Sequence, residues 1–150
     1  MTDVHDPATR SRNMAAVRAR NTKPELMIRK ALHAAGFRYR LDLRNLPGRP
    51  DIVLPRFRAV VFVHGCFWHR HECDLFRWPE TRPEFWHEKL NTNAVRDQKA
   101  AKALAKAGWR QAVIWECALK GRNKRDFQDT MQQLITWIRS DRKTITIRGE

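Results

Sequence analysis

Acidic residues are scarce in this chain. Sixteen Asp and Glu stand against 30 Lys and Arg, for a formal charge of +14 and a pI near 10.8. A field of that sign favours polyanions as partners, and counterion release would make nucleic-acid binding tight and salt-sensitive. An anionic membrane surface is the rival partner, but the basic residues are spread along the chain and no juxtamembrane polybasic block stands out. Long apolar runs are also missing: none approaches the roughly 20 residues of a membrane-spanning helix. The opening MTDVHDPATR has no apolar segment, so no secretory signal is expected. Cysteine is limited to three residues, an odd number that argues against a disulfide framework and for a reducing compartment. There is no internal repeat and no low-complexity tract. The 150 residues, 42% hydrophobic and 31% charged, suit one globular domain with one sizeable core.

Against that background the stretch from Arg58 to Cys73, RAVVFVHGCFWHRHEC, is dense in chemistry. Ala59 to Val63 is a β-branched apolar run bounded by Gly65, the pattern of a buried strand. His64, Cys66, His69, His71 and Cys73 follow at once, with Phe67 and Trp68 between them. Three of the chain's six histidines and two of its three cysteines fall here. A strand that ends in metal-binding and proton-transfer side chains is a rigid platform for a site.

The remaining elements can be placed around this strand. Asp6-Pro7 starts an N-terminal helix to about residue 20, with Asp as cap and Pro at the first helical position. Its arginines and Met14 suit either an arm on nucleic acid or a peripheral helix packed on the body. Thr22-Lys-Pro-Glu25 fits a capping box, and the helix it opens runs to about Ala35, with Leu26, Ile28, Ala31 and Leu32 as its apolar face and Gly36 as its stop. By pattern alone Glu25 is a cap. Phe37, Tyr39 and Leu41 alternate with polar residues and predict a half-buried strand. Residues 51–54 predict a second strand and residues 57–63 a third, joined by a short connection that places Asp51 and the Val63–His64 end on one sheet edge. A long helix is expected over about 84–107, with Phe85, Leu90, Ala94, Ala101, Leu104 and Ala105 on its apolar side. Asp97 within it reads as a solvated charge. Residues 109–115 form a fourth strand ending at Glu116-Cys117. Residues 126–139 form an amphipathic helix whose Phe127, Met131, Leu134, Ile135 and Ile138 are core. Residues 143–150 either add an edge strand or fray. The fold class is therefore α/β, a mixed sheet covered by helices.

Two ion sites separate by their chemistry. Cys66, His71, Cys73 and Cys117 make a Cys3His set, a common closed zinc site; with no open position, such a zinc holds structure. His64, His69 and Asp51 remain for acid, base or hard-metal work. Mg²⁺ prefers oxygen ligands, and Asp51 with a backbone carbonyl at the end of the third strand would suit it. A neutral histidine can accept a proton near neutral pH. With the positive field, this points to metal-assisted hydrolysis of a phosphodiester.

The chain resembles the very-short-patch repair endonucleases of bacteria, which nick T:G mismatches. The resemblance is carried by DVHDPATRSRNM near the start, LPGRPD (46–51), HGCFWH (64–69), H-x-C (71–73), TR-x-EFW (81–86), RD (96–97), GW-R (108–110) and WECALKGR (115–122). It extends to about Ile138. It implies a fold like that of type II restriction endonucleases, with a structural zinc. It also implies that Asp51 and the carbonyl of Val63 bind Mg²⁺, that His69 is the general base, and that His64, Glu25 and Asp97 line the site. The set Cys66, His71, Cys73 and Cys117 would be the zinc site. Phe67, Trp68 and Trp86 would wedge into the DNA stack, with Met14 entering from the opposite side. Lys89 and Asn93 would reach the mismatched bases. The expected reaction is a single-strand cut 5′ to the thymine of a T:G mismatch arising from 5-methylcytosine deamination. Where this chain has Val63, related members carry threonine. A backbone carbonyl survives that exchange but a hydroxyl does not, so activity is expected to persist at a lower level.

The partners this implies are double-stranded DNA with a T:G mismatch and, as an open alternative, mismatch-repair proteins, in a bacterial, cytoplasmic, nucleoid-associated setting. A single asymmetric lesion is compatible with a monomer. Two rival readings stand beside this one: a non-catalytic, zinc-stabilised DNA-binding module on the same fold, and a zinc hydrolase using His64, His69 and Asp51. The charge makes a prediction that holds for any of them. Duplex binding should weaken linearly in log K against log salt, by about 10³-fold between 50 and 200 mM if some six phosphates are neutralised. An affinity indifferent to salt would remove the electrostatic argument.

Overall fold

Alternation along two short strands sets the architecture. In β1 (Ile52–Leu54) and β2 (Ala59–His64), Ile52, Leu54, Ala59 and Val61 enter one apolar cluster, while Val53, Val60 and Phe62 enter another on the opposite face. A strand buried on both faces reads as a continuous apolar run, which is why AVVFV shows no polar alternation. The computed structural model describes residues 22–41, 43 and 45–150. The expected N-terminal helix and Met14 lie outside them.

The other elements are α1 (Lys23–Ala34), a single 3-10 turn (Pro55–Phe57), α2 (Pro83–Lys106), β3 (Arg110–Trp115), the one-turn α3 (Glu116–Leu119), α4 (Phe127–Ile138) and β4 (Thr144–Ile147). The sheet order is β1-β2-β3-β4, with β1 antiparallel to β2 and the remaining pairs parallel. A mixed sheet flanked by helices matches the expected fold class. The larger cluster lies between the sheet and α1 with α4, and includes Ile28, Leu32, Met131, Leu134, Trp137 and Ile138. Each such side chain contributes about 1.5–3 kcal/mol by leaving water. Leu104 of α2 closes the second cluster on the other face. Among the described residues no helix is long and apolar enough to cross a membrane.

Several sequence expectations are corrected. The strand expected over Phe37, Tyr39 and Leu41 is reduced to one antiparallel bridge, Arg40 with Val53. β1, its one neighbour among the described residues, is three residues long, so there is little ladder to extend. Phe37 is nonetheless buried and packs its ring 5.5 Å from Phe57. On α1 the inward face is Glu25, Ile28, Arg29 and Leu32, whereas Leu26 is 48% exposed. On α2 only Leu90 and Leu104 are buried. Phe85, Ala101 and Ala105 are exposed and Ala94 is only partly covered. The helix presents so little apolar surface because one side of it walls a cleft instead of a core. Segment 143–150, left between strand and frayed end by its sequence, supplies β4.

Two devices fix the frame around β2 and β3. Gly48 adopts φ +74, and a Cβ there would lie 2.8 Å from the Ala100 side chain and 3.3 Å from the Phe62 ring. The LPGR turn can thus press against α2 and β2 only because that position is glycine. Arg110, at the start of β3, donates to the carbonyls of Phe57 (3.0 Å), Ile138 (2.7 Å), Trp137 (3.2 Å) and Arg142 (3.2 Å). Its guanidinium also lies 4.8 Å over the Trp137 ring. It therefore satisfies the orphan carbonyls at the end of α4 and ties them to the β1–β2 turn. A lysine lacks the planar fork. Arg110→Lys should lower unfolding free energy by about 1–3 kcal/mol, the cost of stranding part-buried carbonyls, measured by chemical denaturation. A loss below about 0.5 kcal/mol, the scale of an ordinary surface change, would show that these bonds are not structural.

Candidate active site and metal centre

Parallel register brings the two strand ends together. Val63 pairs with Ile114 and His64 with Trp115, so the residues that leave β2 and β3 emerge side by side. Open α/β sheets bind ligands at such carboxyl ends. An open cleft of about 1660 Å³ lies there, lined among others by Glu25, Asp51, His64, His69, Asp97 and Trp115.

The chain leaving β2 coils at once. His69 N donates to Gly65 O (3.2 Å), Arg70 N to Phe67 O (3.2 Å) and His71 N to Cys66 O (2.9 Å). These turns reverse the chain and lay the His69 ring on the His64 ring, with centroids 3.7 Å apart and planes within 6°. His69 Nδ1 meets Asp97 Oδ2 of α2 at 2.6 Å. An aspartate on Nδ1 fixes the imidazole so that Nε2 is left as the acceptor. His64 lies well below the ordinary histidine range because burial disfavours its charged form and His69 stands beside it, so it stays neutral against its partner. The donor atoms of His64, His69 and Asp97 lie within 4.8 Å of one another.

Asp51, just ahead of β1, accepts the Val63 N–H at 2.6 Å on Oδ2. The antiparallel hairpin thus brings the expected carboxylate to the last residues of β2, in the cleft that also holds both histidines. Glu25 is 3% exposed, accepts from Arg29 Nη2 at 2.8 Å, and lines the same cleft. Thr22 Oγ1 accepts the Glu25 N–H at 3.4 Å, the cap half of the expected box. Asp97, a solvated charge by pattern, instead turns into the cleft and contacts His69.

The second set is equally concrete. Ligand atoms of Cys66, His71, Cys73 and Cys117 all lie within 4.8 Å of one another, and all three cysteines are free thiols. Cys117 Sγ stands 3.6 Å from His71 Nδ1. A tetrahedron built on ordinary Zn–S and Zn–N bonds has an S···N edge of about 3.5 Å, so the donors fit that ion in both chemistry and spacing. Burial pushes the Cys66 thiol up and the His71 imidazole down. A neutral imidazole is ready to ligate, whereas the buried thiol would give up its proton to a bound cation.

Phe67 and Trp68 line the cleft and belong to a cluster of aromatic rings. Phe67 lies 5.4 Å from Trp86 and 5.1 Å from Trp68, and Trp68 lies 5.9 Å from Trp86. The three expected wedge residues are one cluster. Asn93 Nδ2 donates to Trp68 O at 3.1 Å, holding that loop against α2. Lys89 lies on the same helix, partly buried and outside the cleft lining.

Two residues were missed. Trp115 stacks on His71 at 4.0 Å and 10°, and turns its edge toward His64 at 5.2 Å and His69 at 6.2 Å. Glu116 accepts Cys66 N–H at 3.2 Å and pairs with Lys120 at 3.0 Å. The only available signal was their position at the end of the strand that carries Cys117.

A family model described as DNA mismatch endonuclease Vsr matches residues 2–75. The chain is 46% identical over 138 residues to the DNA mismatch endonuclease Vsr of Escherichia coli strain K12, covering 92% of this chain and 88% of that protein. It is 49% identical over 119 residues to the type II nicking enzyme V.XorIIP of Xanthomonas oryzae pv. oryzae, covering 79% and 88%. With the type II nicking enzyme V.NmeAIP of Neisseria meningitidis serogroup A it shares 40% identity over 139 residues, covering 93% and 98%. By these matches, over most of its length and of theirs, the chain belongs to the Vsr family of DNA mismatch endonucleases.

Proposed function

We propose that this protein is a mismatch endonuclease that cuts one DNA strand 5′ to the thymine of a T:G pair, the lesion left by 5-methylcytosine deamination. The observation that carries the reading is the Asp97–His69–His64 arrangement in the cleft that holds Asp51. The similarity to a DNA mismatch endonuclease and to type II nicking enzymes supports the substrate class.

In this reading His69 accepts the proton of the attacking water at Nε2. Asp97 holds the imidazole in the required tautomer and stabilises the charge it acquires. His64, neutral and stacked, keeps the ring from turning. Asp51 and the Val63 carbonyl would hold Mg²⁺, which when bound supplies positive charge at the phosphate as negative charge develops. Glu25 adds a second carboxylate to the same wall. Cys66, His71, Cys73 and Cys117 would hold Zn²⁺, and their role is to fix the loop that carries His69. Phe67, Trp68 and Trp86 enter the base stack, where a mispaired step is cheaper to distort. Lys89 and Asn93 approach the mismatched bases, and Met14, outside the described residues, enters from the opposite side. The DNA partner and the basic charge fit a cytoplasmic, nucleoid-associated enzyme of a single domain, working as a monomer.

Asp51→Ala should abolish nicking of a T:G duplex in Mg²⁺ while duplex affinity stays within a few-fold; equal cutting by mutant and parent would end the hydrolytic assignment of Asp51. Asp97→Asn should keep the ring stack but lose the fixed proton, slowing single-turnover nicking by about 10²–10⁴-fold with binding preserved. Cys117→Ser should yield protein without stoichiometric zinc and with poor folding, checked by metal analysis and circular dichroism. Full zinc retention in that variant would favour a zinc hydrolase built on His64 and His69.

A further inference from the structure

The stretch after β4 matches no motif used above, yet it ends against the sulfur centre. Gly149 N donates to Cys117 Sγ at 3.2 Å. A Cβ on Gly149 would lie 2.6 Å from Cys117 O, 2.8 Å from Asn123 O and 3.1 Å from Cys117 C. Those contacts are with backbone, which has little room to give, so the site admits glycine alone. The approach is held from both sides. Upstream, β4 pairs in parallel with β3 through Ile114 and Ile147, and Ile147 is 1% exposed in the main core. Downstream, Glu150 N donates to Asn123 O at 2.8 Å. Arg125 Nε donates to Arg148 O, and Arg148 Nη2 reaches Glu72 O, between two of the ligands, at 3.5 Å.

We propose that residues 148–150 are a working part of the metal centre, with the Gly149 N–H as the hydrogen-bond donor that holds and stabilises the Cys117 thiolate. The inference rests on the reading of Cys66, His71, Cys73 and Cys117 as a zinc site. Three thiolates around a divalent ion leave excess negative charge in a buried place, and a backbone N–H aimed at sulfur offsets it without adding a titratable group. Donors of this kind orient ligands and tune affinity. Cys117 is 4% exposed, so water has little access to replace the bond. Gly149 is a positioning residue: it touches a ligand and not the ion.

The test uses the whole protein with zinc or Co²⁺. Two variants remove the donor differently: Gly149→Ala pushes the segment away, and deletion of residues 149–150 takes the N–H away without a clash. Ile147→Val is the control, trimming the core while leaving the donor. Zinc affinity is measured by competition with a chromophoric chelator, and the thiolate-to-metal charge-transfer band is read on the Co²⁺ form. Both donor variants should bind zinc about 10–100-fold more weakly and shift the charge-transfer band, with tetrahedral d–d bands retained. Ile147→Val should lower thermal stability and leave affinity and band position alone. If Gly149→Ala does not fold, the shortened chain decides. Zinc affinity within twofold of the parent and an unshifted band in the donor variants would overturn the proposal while the metal centre stands. A parent protein that takes up no Co²⁺ in a thiolate set would overturn the metal-centre reading and this inference together.

Discussion

Parallel pairing of β2 with β3 is the constraint on which the rest depends. Two parallel strands in register finish at the same level, so the residues that follow one strand are delivered beside those that follow the other. Here the level is set by His64 opposite Trp115. From it the chain leaving β2 coils into the loop of histidines and thiols, and the chain leaving β3 turns once through α3 and supplies Cys117. A sheet slipped by one residue would turn each inward side chain to the wrong face, and would also part Cys117 from the three ligands of the loop. Arg110 at the far end of β3 anchors that register by gathering four carbonyls from three segments.

Once the ends are level, the two candidate ion-binding clusters need little else. One loop carries three ligands of the sulfur set and the histidine of the candidate hydrolytic set, while α2 contributes Asp97 from across the cleft. Trp115 lies between the two sets, flat against His71 and edge-on to His64 and His69. Large aromatic rings resist displacement because they fill volume and bury much area. The indole is thus a spacer that keeps the Cys/His cluster and the His/Asp cluster adjacent but apart.

How much of this could be read in the sequence varied with the kind of signal. The β-branched run Ala59 to Val63, the stripe of α4 and the cap at Thr22 are periodic or local signals, and each element formed near its expected bounds. The sulfur set was legible because thiols and imidazoles at that density have few other uses. Asp97 was not legible from pattern. A carboxylate on a polar helix has the same sequence appearance whether it faces water or a histidine 28 positions away, and the family likeness, not the periodicity, placed it. Glu25 hid behind a sufficient local role as a cap; its burial follows from sharing the face of Ile28 and Leu32, with Arg29 one turn on to neutralise it. The false strand at residues 37–41 has the opposite cause. Alternation there reflects Phe37 and Tyr39 packing on the core, with almost no neighbouring strand to pair with. Trp115 and Glu116 were missed because their roles arise only when β2 lies alongside.

The coil from Gly65 to Cys73 leaves little freedom in its own length. Its backbone bonds are spaced so that His69 folds back over His64 while His71, two residues on, faces Cys117. One residue more or fewer would rotate those two side chains out of their separate tasks, and no flanking slack exists to absorb the change, since β2 precedes it and the thiol of Cys73 closes it. The two clusters are therefore coupled through the length of one coil: an insertion or deletion within it would disturb the His69–Asp97 contact and the His71–Cys117 contact together.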